Sequence, residues 1–333
     1  MKKTLLFCLC PLLFSLSAEA FHPARQYPLA GQERWDYLLT DSTEHRIYIT
    51  RGNRVSILDT QNGQLLDEIK DLQGVHGVAL AKDFGLGFVS DGKANAVVEF
   101  DMKDFKKIAT IPVGINPDSI IYDSFSKKVF AFDGKSKEVS VINPQTHKLE
   151  GQLKLKGKPE FSVSDQKSFI YVNIEDSNEV VKINSKDLKI ENTYSLKPCE
   201  EPAGLSMNLK TGNLFVGCGN KMLVVFSPTE GKVLHTIKVG EDADATAYDP
   251  LLQTLFASTS EGTLEVIKLD EKDQVVKSET LKTKKGSHTM AVDSSKGEVY
   301  VVEANFKQPA PGSAPKTRPT MEEGSCTLNV FKN

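Results

Sequence analysis

Seven residues recur at one position of a repeated segment, and most are of types that do chemistry: Asp36, His76, Asp118, Glu160, Ala203, Asp244 and His288. Acidic residues are 44 of the 333 in the chain, so about one of seven such positions would be acidic from composition, whereas four are. Carboxylates brought together repel one another, and raised pKa values or a bound cation relieve that repulsion. His76 and His288 add imidazole nitrogens, a mixed donor set suited to a divalent transition metal. In repeat order Asp36 falls between the two histidines, so Asp36, His76 and His288 form the densest candidate metal triplet. The plainer reading is a solvated opening or small-molecule funnel, where polar groups stay hydrated.

What must position these residues is a repeat of about 42 residues. An aromatic position recurs at Tyr48, Phe88, Phe130, Tyr171, Phe215, Phe256 and Tyr300, in steps of 40 to 44 residues. A turn residue precedes it in six copies, as Asp41, Asp123, Asp165, Asn208, Asp249 and Asp293; the second copy has Ala81 there, with Asp83 two places on. Each copy holds four short runs of strand-type residues separated by turn pairs such as Asn62-Gly63, Asn143-Pro144 and Glu230-Gly231, and no window carries a sustained helical period. The third run ends at Asp59, Asp101, Asn143, Asn184 or Ser227, side chains that bond their own backbone and start the next turn. Four strands per 42-residue unit is the spacing of a propeller blade, and seven copies predict an all-β, seven-bladed β-propeller.

The last copy stops after three strands, while residues 26–31 precede Asp36 much as residues 110–114 precede Asp118. The N-terminal segment is therefore expected to supply the outer strand of blade seven, closing the ring and removing open strand edges. In that geometry the innermost strand starts near the axis, which puts the seven recurring residues at the mouth of the central channel. The insertion at 303–325 interrupts the last blade between its second and third strands, and chain alternation places it on the same face. It is rich in proline, contains Lys307, Lys316 and Arg318, and reads as a surface loop or a cover over the mouth. Glu33, Glu200, Glu201, Glu241 and Asp242 precede ring positions and make an acidic face, with Arg34 the exception; such a field favours cationic ligands.

Lys2 and Lys3, an apolar run over residues 5–16 and Ala18-Glu19-Ala20 read as a secretory signal over residues 1–20, leaving the propeller as residues 21–333. The formal charge of −3 becomes −4 after processing, which argues against a bulk electrostatic grip on nucleic acid. Three cysteines remain, Cys199, Cys218 and Cys326. An odd count fits one pair plus a free thiol, or no pair, and Cys199 and Cys218 flank one expected hairpin.

The strand sequences Ile47-Tyr48-Ile49-Thr50 and Ile170-Tyr171-Val172-Asn173, with Asn116-Pro117-Asp118 ahead of a third, resemble the YVTN-repeat, YncE-type family of exported bacterial β-propellers. The likeness spans the mature chain, with Phe replacing Tyr in several copies. It implies the propeller fold and export to the periplasm or exterior, and for activity little beyond ligand binding.

Nucleophile elbows, Walker loops, HExxH and dinucleotide fingerprints are absent from the sequence, and Ser287 beside His288 points to the opposite strand face. The leading expectation is a monomeric cell-envelope binding or scaffold protein whose channel mouth, Asp36, His76, Asp118, Glu160, Asp244 and His288 with Arg34, takes a small molecule or an envelope protein. The alternative is a metal-dependent hydrolase of the lactonase or esterase kind, with a divalent ion on the same ring. Nucleic-acid binding ranks third, because no basic stripe interleaves with aromatics.

Overall fold

A computed structural model describes residues 20–307 and 319–333. Among these residues seven four-stranded antiparallel sheets follow one another in chain order. The inner strands are Trp35–Asp41, Val75–Ala81, Pro117–Asp123, Pro159–Ser164, Pro202–Met207, Ala243–Asp249 and Met290–Asp293. Contacts run from each inner strand to the next and from Met290–Asp293 back to Trp35–Asp41, so the blades close a ring.

Strand periodicity explains the ring. Successive side chains point to opposite faces, so the second strand of blade 1 sends Ile47 and Ile49 toward blade 7 and Tyr48 toward blade 2. The core accordingly consists of seven apolar clusters, one between each pair of adjacent blades. All seven recurring aromatics are buried in them, each contributing about 1.5 to 3 kcal/mol of burial. The turn aspartates Asp41, Asp123, Asp249 and Asp293 are buried too, and Asp165 partly so: Asp41 accepts the Thr43 and Glu44 N–H groups, and Asp249 those of Leu251 and Leu252. In the departing second copy Ala81 leads instead into a 3-10 turn, Lys82–Phe84, and Asp83 accepts the Tyr122 hydroxyl. The third strands end at Asp59, Asp101, Asn143, Asn184 and Ser227 as expected, and each of these side chains accepts a backbone N–H two or three residues on.

The N-terminal strand His22–Pro28 completes blade 7, pairing antiparallel with Thr327–Lys332. Gln26 donates to Asn329 across the seam (2.9 Å), Arg25 pairs with Glu298 (2.7 Å), and Phe21 packs edge-on against Phe256 of blade 6. Cys199 and Cys218 form a disulfide, and Cys326 is free and buried. The insertion has regular feet: Phe306–Lys307 pairs with Thr320–Met321 as a short hairpin. Residues 1–19 and 308–318, and with them the signal segment, Lys316, Arg318 and the tip expected to cover the mouth, lie outside the described residues.

Candidate functional site

The ring position is set by a local irregularity repeated around the molecule. In six inner strands the pairing register shifts beside the ring residue, as between Trp35 and Leu38 and between Pro117 and Ile120. A bulge of this kind re-aims a side chain. The preceding residue (Trp35, Val75, Pro117, Pro159, Pro202, Ala243) is buried between blades, whereas the ring side chains keep 13 to 30% of their surface in contact with solvent.

The structure sorts the ring residues into three groups. His76 Nδ1 lies 2.7 Å from Asp36 Oδ2 and 3.6 Å from Asp118 Oδ1; these three residues each offer a ligand atom within 4.8 Å of the others. Gly92 makes room for the imidazole, since a Cβ there would sit 2.6 Å from His76 Nε2. Glu160 meets Lys158 at 2.5 Å, and Lys158 reaches Glu175 at the same distance. His288 stands apart from the first group. Its Nδ1 bonds the Gly286 carbonyl at 2.7 Å, its ring stacks on Trp35, and its Nε2 is 4.0 Å from Asp244. The triplet expected from blade order therefore does not assemble; Asp118 takes the place of His288, because the His288 side chain is turned by its own Gly286 carbonyl and by Trp35. Ala203 contributes only its carbonyl, to Asn173.

Electrostatics at the mouth follow from many carboxylates on few cations. Burial lowers the His76 pKa, but the Asp36 hydrogen bond and the Asp118, Asp36 and Glu160 charges outweigh it and lift the imidazole to about 9. Burial, with Asp36 against His76, lifts Asp118 to about 6. Burial and the Asp118 charge lift Glu160 to about 8 despite the Lys158 contact. Asp244 is pushed well above the usual carboxylate range by burial and by Asp242, Asp36 and Asp118. Burial opposes the charge on Lys158, yet Glu160 and Glu175 raise its pKa. The shifts of Lys158 and Glu160 pull opposite ways on their ion pair, and both follow from one crowd: the cation gains from every carboxylate, while each carboxylate loses to the others. The mouth is thus short of positive charge.

Beneath it the channel is not an open water column. Tyr37 of blade 1 and Phe161 of blade 4 meet edge-to-face at 4.5 Å, a contact between nearly opposite blades that crosses the axis. Burial and then the Asp118, Glu160, Asp36 and Asp244 charges hold the Tyr37 hydroxyl well above its usual pKa. The mouth is a bowl floored by aromatics.

The face outside the bowl is divided. On one side Glu175, Asp176, Glu200 and Glu201 line a depression of about 460 Å³, whose backbone is pinned by the disulfide at Cys199 and Cys218, the residues before Glu200 and Gly219. On the other, Arg34, Lys284 and Lys285 line a cavity of about 570 Å³ beside Phe306. Arg34 lies there, away from the bowl, stacked over the Phe306 ring at 4.9 Å and donating to the Pro319 carbonyl at 2.8 Å, so it clamps both feet of the insertion. In a further cavity of about 510 Å³, Lys82 pairs with Asp41 and Arg46 with Glu44, and Asp101 and Lys103 also line it.

Residue reasoning missed Lys158, Tyr37 and Phe161. Lys158 had a signal, since it stands two residues before its ring residue, the place Arg34 holds in blade 1 and Glu201 in blade 5. The aromatic floor had none, because the position after the ring residue reads Tyr37, Gly77, Ser119, Phe161, Gly204, Ala245 and Thr289.

No family model matches the chain, and no curated protein matches it. Among solved structures, one from Kuenenia stuttgartiensis titled hydrazine synthase superposes with a TM-score of 0.71 at 12% identity, covering 83% of this chain and 94% of that one. The likeness shows the fold alone. Among the described residues no helix is long and apolar enough to cross a membrane.

Proposed function

We propose that this protein is an exported binding propeller of the cell envelope, of the YVTN-repeat, YncE-type kind, whose ligand presents a cationic group to the bowl. The observation that carries the reading is the gathering of Asp36, Asp118, Glu160 and Asp244 at one mouth, partly buried, where burial and neighbouring carboxylates hold Asp118, Glu160 and Asp244 above their usual range. A cation placed there is attracted by all three at once and stabilises their ionised forms. Tyr37 and Phe161 give it a flat apolar floor. Export is supported by the basic and apolar leader sequence, by a disulfide that suits an oxidising compartment, and by Phe21, which enters the core directly after the expected cleavage point. Calorimetric titration of residues 21–333 with 1,4-diaminobutane tests the binding reading: saturable binding is expected, and heats no different from those of the Asp118→Asn, Glu160→Gln, Asp244→Asn triple variant would refute it.

A second reading is favoured by the close grouping of Asp36, His76 and Asp118. Two carboxylates and an imidazole fit a divalent transition metal, which would supply Lewis-acid polarisation of an ester or lactone carbonyl. Elemental analysis of untagged, chelator-free protein decides it. A stoichiometric ion lost in Asp36→Ala and His76→Ala supports the hydrolase, and no ion, with a melting temperature indifferent to chelator, removes it.

A further inference from the structure

The cavity beside the insertion is built from parts that the repeat does not supply, and its chemistry is opposite to that of the bowl. Lys284 and Lys285 come from the segment entering blade 7, Arg34 from the segment entering blade 1, and Phe306 and Pro319 from the two feet of the insertion. Phe306 is held in place on three sides. Its ring lies 6.1 Å from that of Trp35, the Arg34 guanidinium covers it, and Gly286 (φ +89°) passes so close that a Cβ would lie 3.5 Å from Phe306 Cε2. This fixes a flat aromatic wall at the edge of a cationic pocket.

Countercharge is scarce. The carboxylate facing Lys284 is Glu303, which accepts the Lys284 backbone N–H and whose pKa burial raises. Among the described residues neither Lys284 nor Lys285 makes an ion pair within 4.0 Å. Glu322, the next carboxylate on the insertion feet, reaches the cavity through its backbone N–H, which bonds the Asn305 carbonyl at 2.8 Å, and among the described residues its side chain makes no ion pair with either lysine. The volume, about 570 Å³, is in the range of small-molecule sites, which combine an apolar lining with a few convergent polar groups.

We propose that this cavity binds a small organic oxyanion carried on a flat ring, the anion on Lys284 and Lys285 and the ring against Phe306. The proposal does not rest on the function proposed for the bowl, with which the cavity shares no lining residue among Asp36, His76, Asp118, Glu160, Asp244 and His288. Its reporter is built in: Trp35 is the single tryptophan of the chain, is buried, and touches Phe306.

Tryptophan fluorescence of residues 21–333 titrated with benzoate, and in parallel with acetate, tests the proposal. A saturable benzoate response is expected, with affinity at least about tenfold above that for acetate because the ring buries apolar surface. The Lys284→Gln, Lys285→Gln double variant should lose at least about tenfold in benzoate affinity, as expected for removing charge-assisted contacts, at an unchanged melting temperature. Should the double variant fold poorly, Lys285→Gln alone carries the test, with a loss of at least about threefold expected. No saturation below about 50 mM benzoate, weaker than any specific site, overturns the proposal. So does equal affinity in wild type and the lysine variants, and equal affinity for benzoate and acetate overturns the role of Phe306.

Discussion

The bowl and the basic cavity share one face of the propeller and were made in opposite ways. The bowl uses the repeat: six of the seven inner strands carry an equivalent bulge, and the ring position brings four carboxylates and two imidazoles to one face without further scaffolding. The cavity uses what breaks the repeat, the insertion feet and two inter-blade segments. A repeated scaffold thus leaves like charges crowded and pKa values displaced, whereas the insertion adds the opposite charge beside them. Perturbing one region and reading the other shows how separate they are.

The largest effect should come from the seam that supports both. Deleting residues 24–30 removes most of the outer strand of blade 7 and the Ala30 carbonyl that Arg51 and Arg54 bond. The melting temperature should fall by at least about 10 °C, with both binding activities lost; an unchanged transition by scanning calorimetry would mean that the ring does not depend on this closure. Replacing Cys199 and Cys218 together by Ala should cost about 3 kcal/mol for a loop of this size, measured by urea unfolding. Because the pair braces only the acidic side, benzoate affinity should stay as it was; a parallel loss would join the two regions.

A finer effect is expected from pH. The Glu160 carboxyl, raised to about 8, is protonated below that value and ionised above it. Only the ionised form attracts a cation, so 1,4-diaminobutane affinity should climb as pH passes upward through about 8, and a further rise should follow as the His76 imidazole, lifted to about 9, loses its positive charge. Glu160→Gln removes the ionisation: that first step should vanish, and affinity at pH 9 should fall by about tenfold, the size of a lost charge-assisted contact. Calorimetry at pH 7 and 9 measures both, and an identical pH profile in the variant would remove Glu160 from the site.

The repeat made the fold, the closing strand and the angular order of the ring readable from sequence, because strand period, turn aspartates and buried aromatics are local chemistry repeated seven times. Rotamers are not local in that sense. Repeat order placed Asp36 between His76 and His288, yet a carbonyl two residues before His288 and the stacked Trp35 turn that ring toward Asp244. The contact of Tyr37 with Phe161 joins residues 124 positions apart on nearly opposite blades, and no spacing rule reaches so far. The cationic cavity was hidden for a related reason: Lys284, Lys285 and Arg34 are ordinary surface charges until the insertion feet enclose them. The acidic face anticipated from the inter-blade segments is therefore only half of what the structure presents.

The central claim is that one propeller face carries two independent sites of opposite charge, and a crossed titration tests it most directly. Wild type, the bowl variant (Asp118→Asn, Glu160→Gln, Asp244→Asn) and the cavity variant (Lys284→Gln, Lys285→Gln) are each titrated calorimetrically with 1,4-diaminobutane and with benzoate. The account predicts that wild type binds both, the bowl variant only benzoate and the cavity variant only the diamine. Loss of both probes in either variant, or retention by a variant of the probe it should lose, would contradict it.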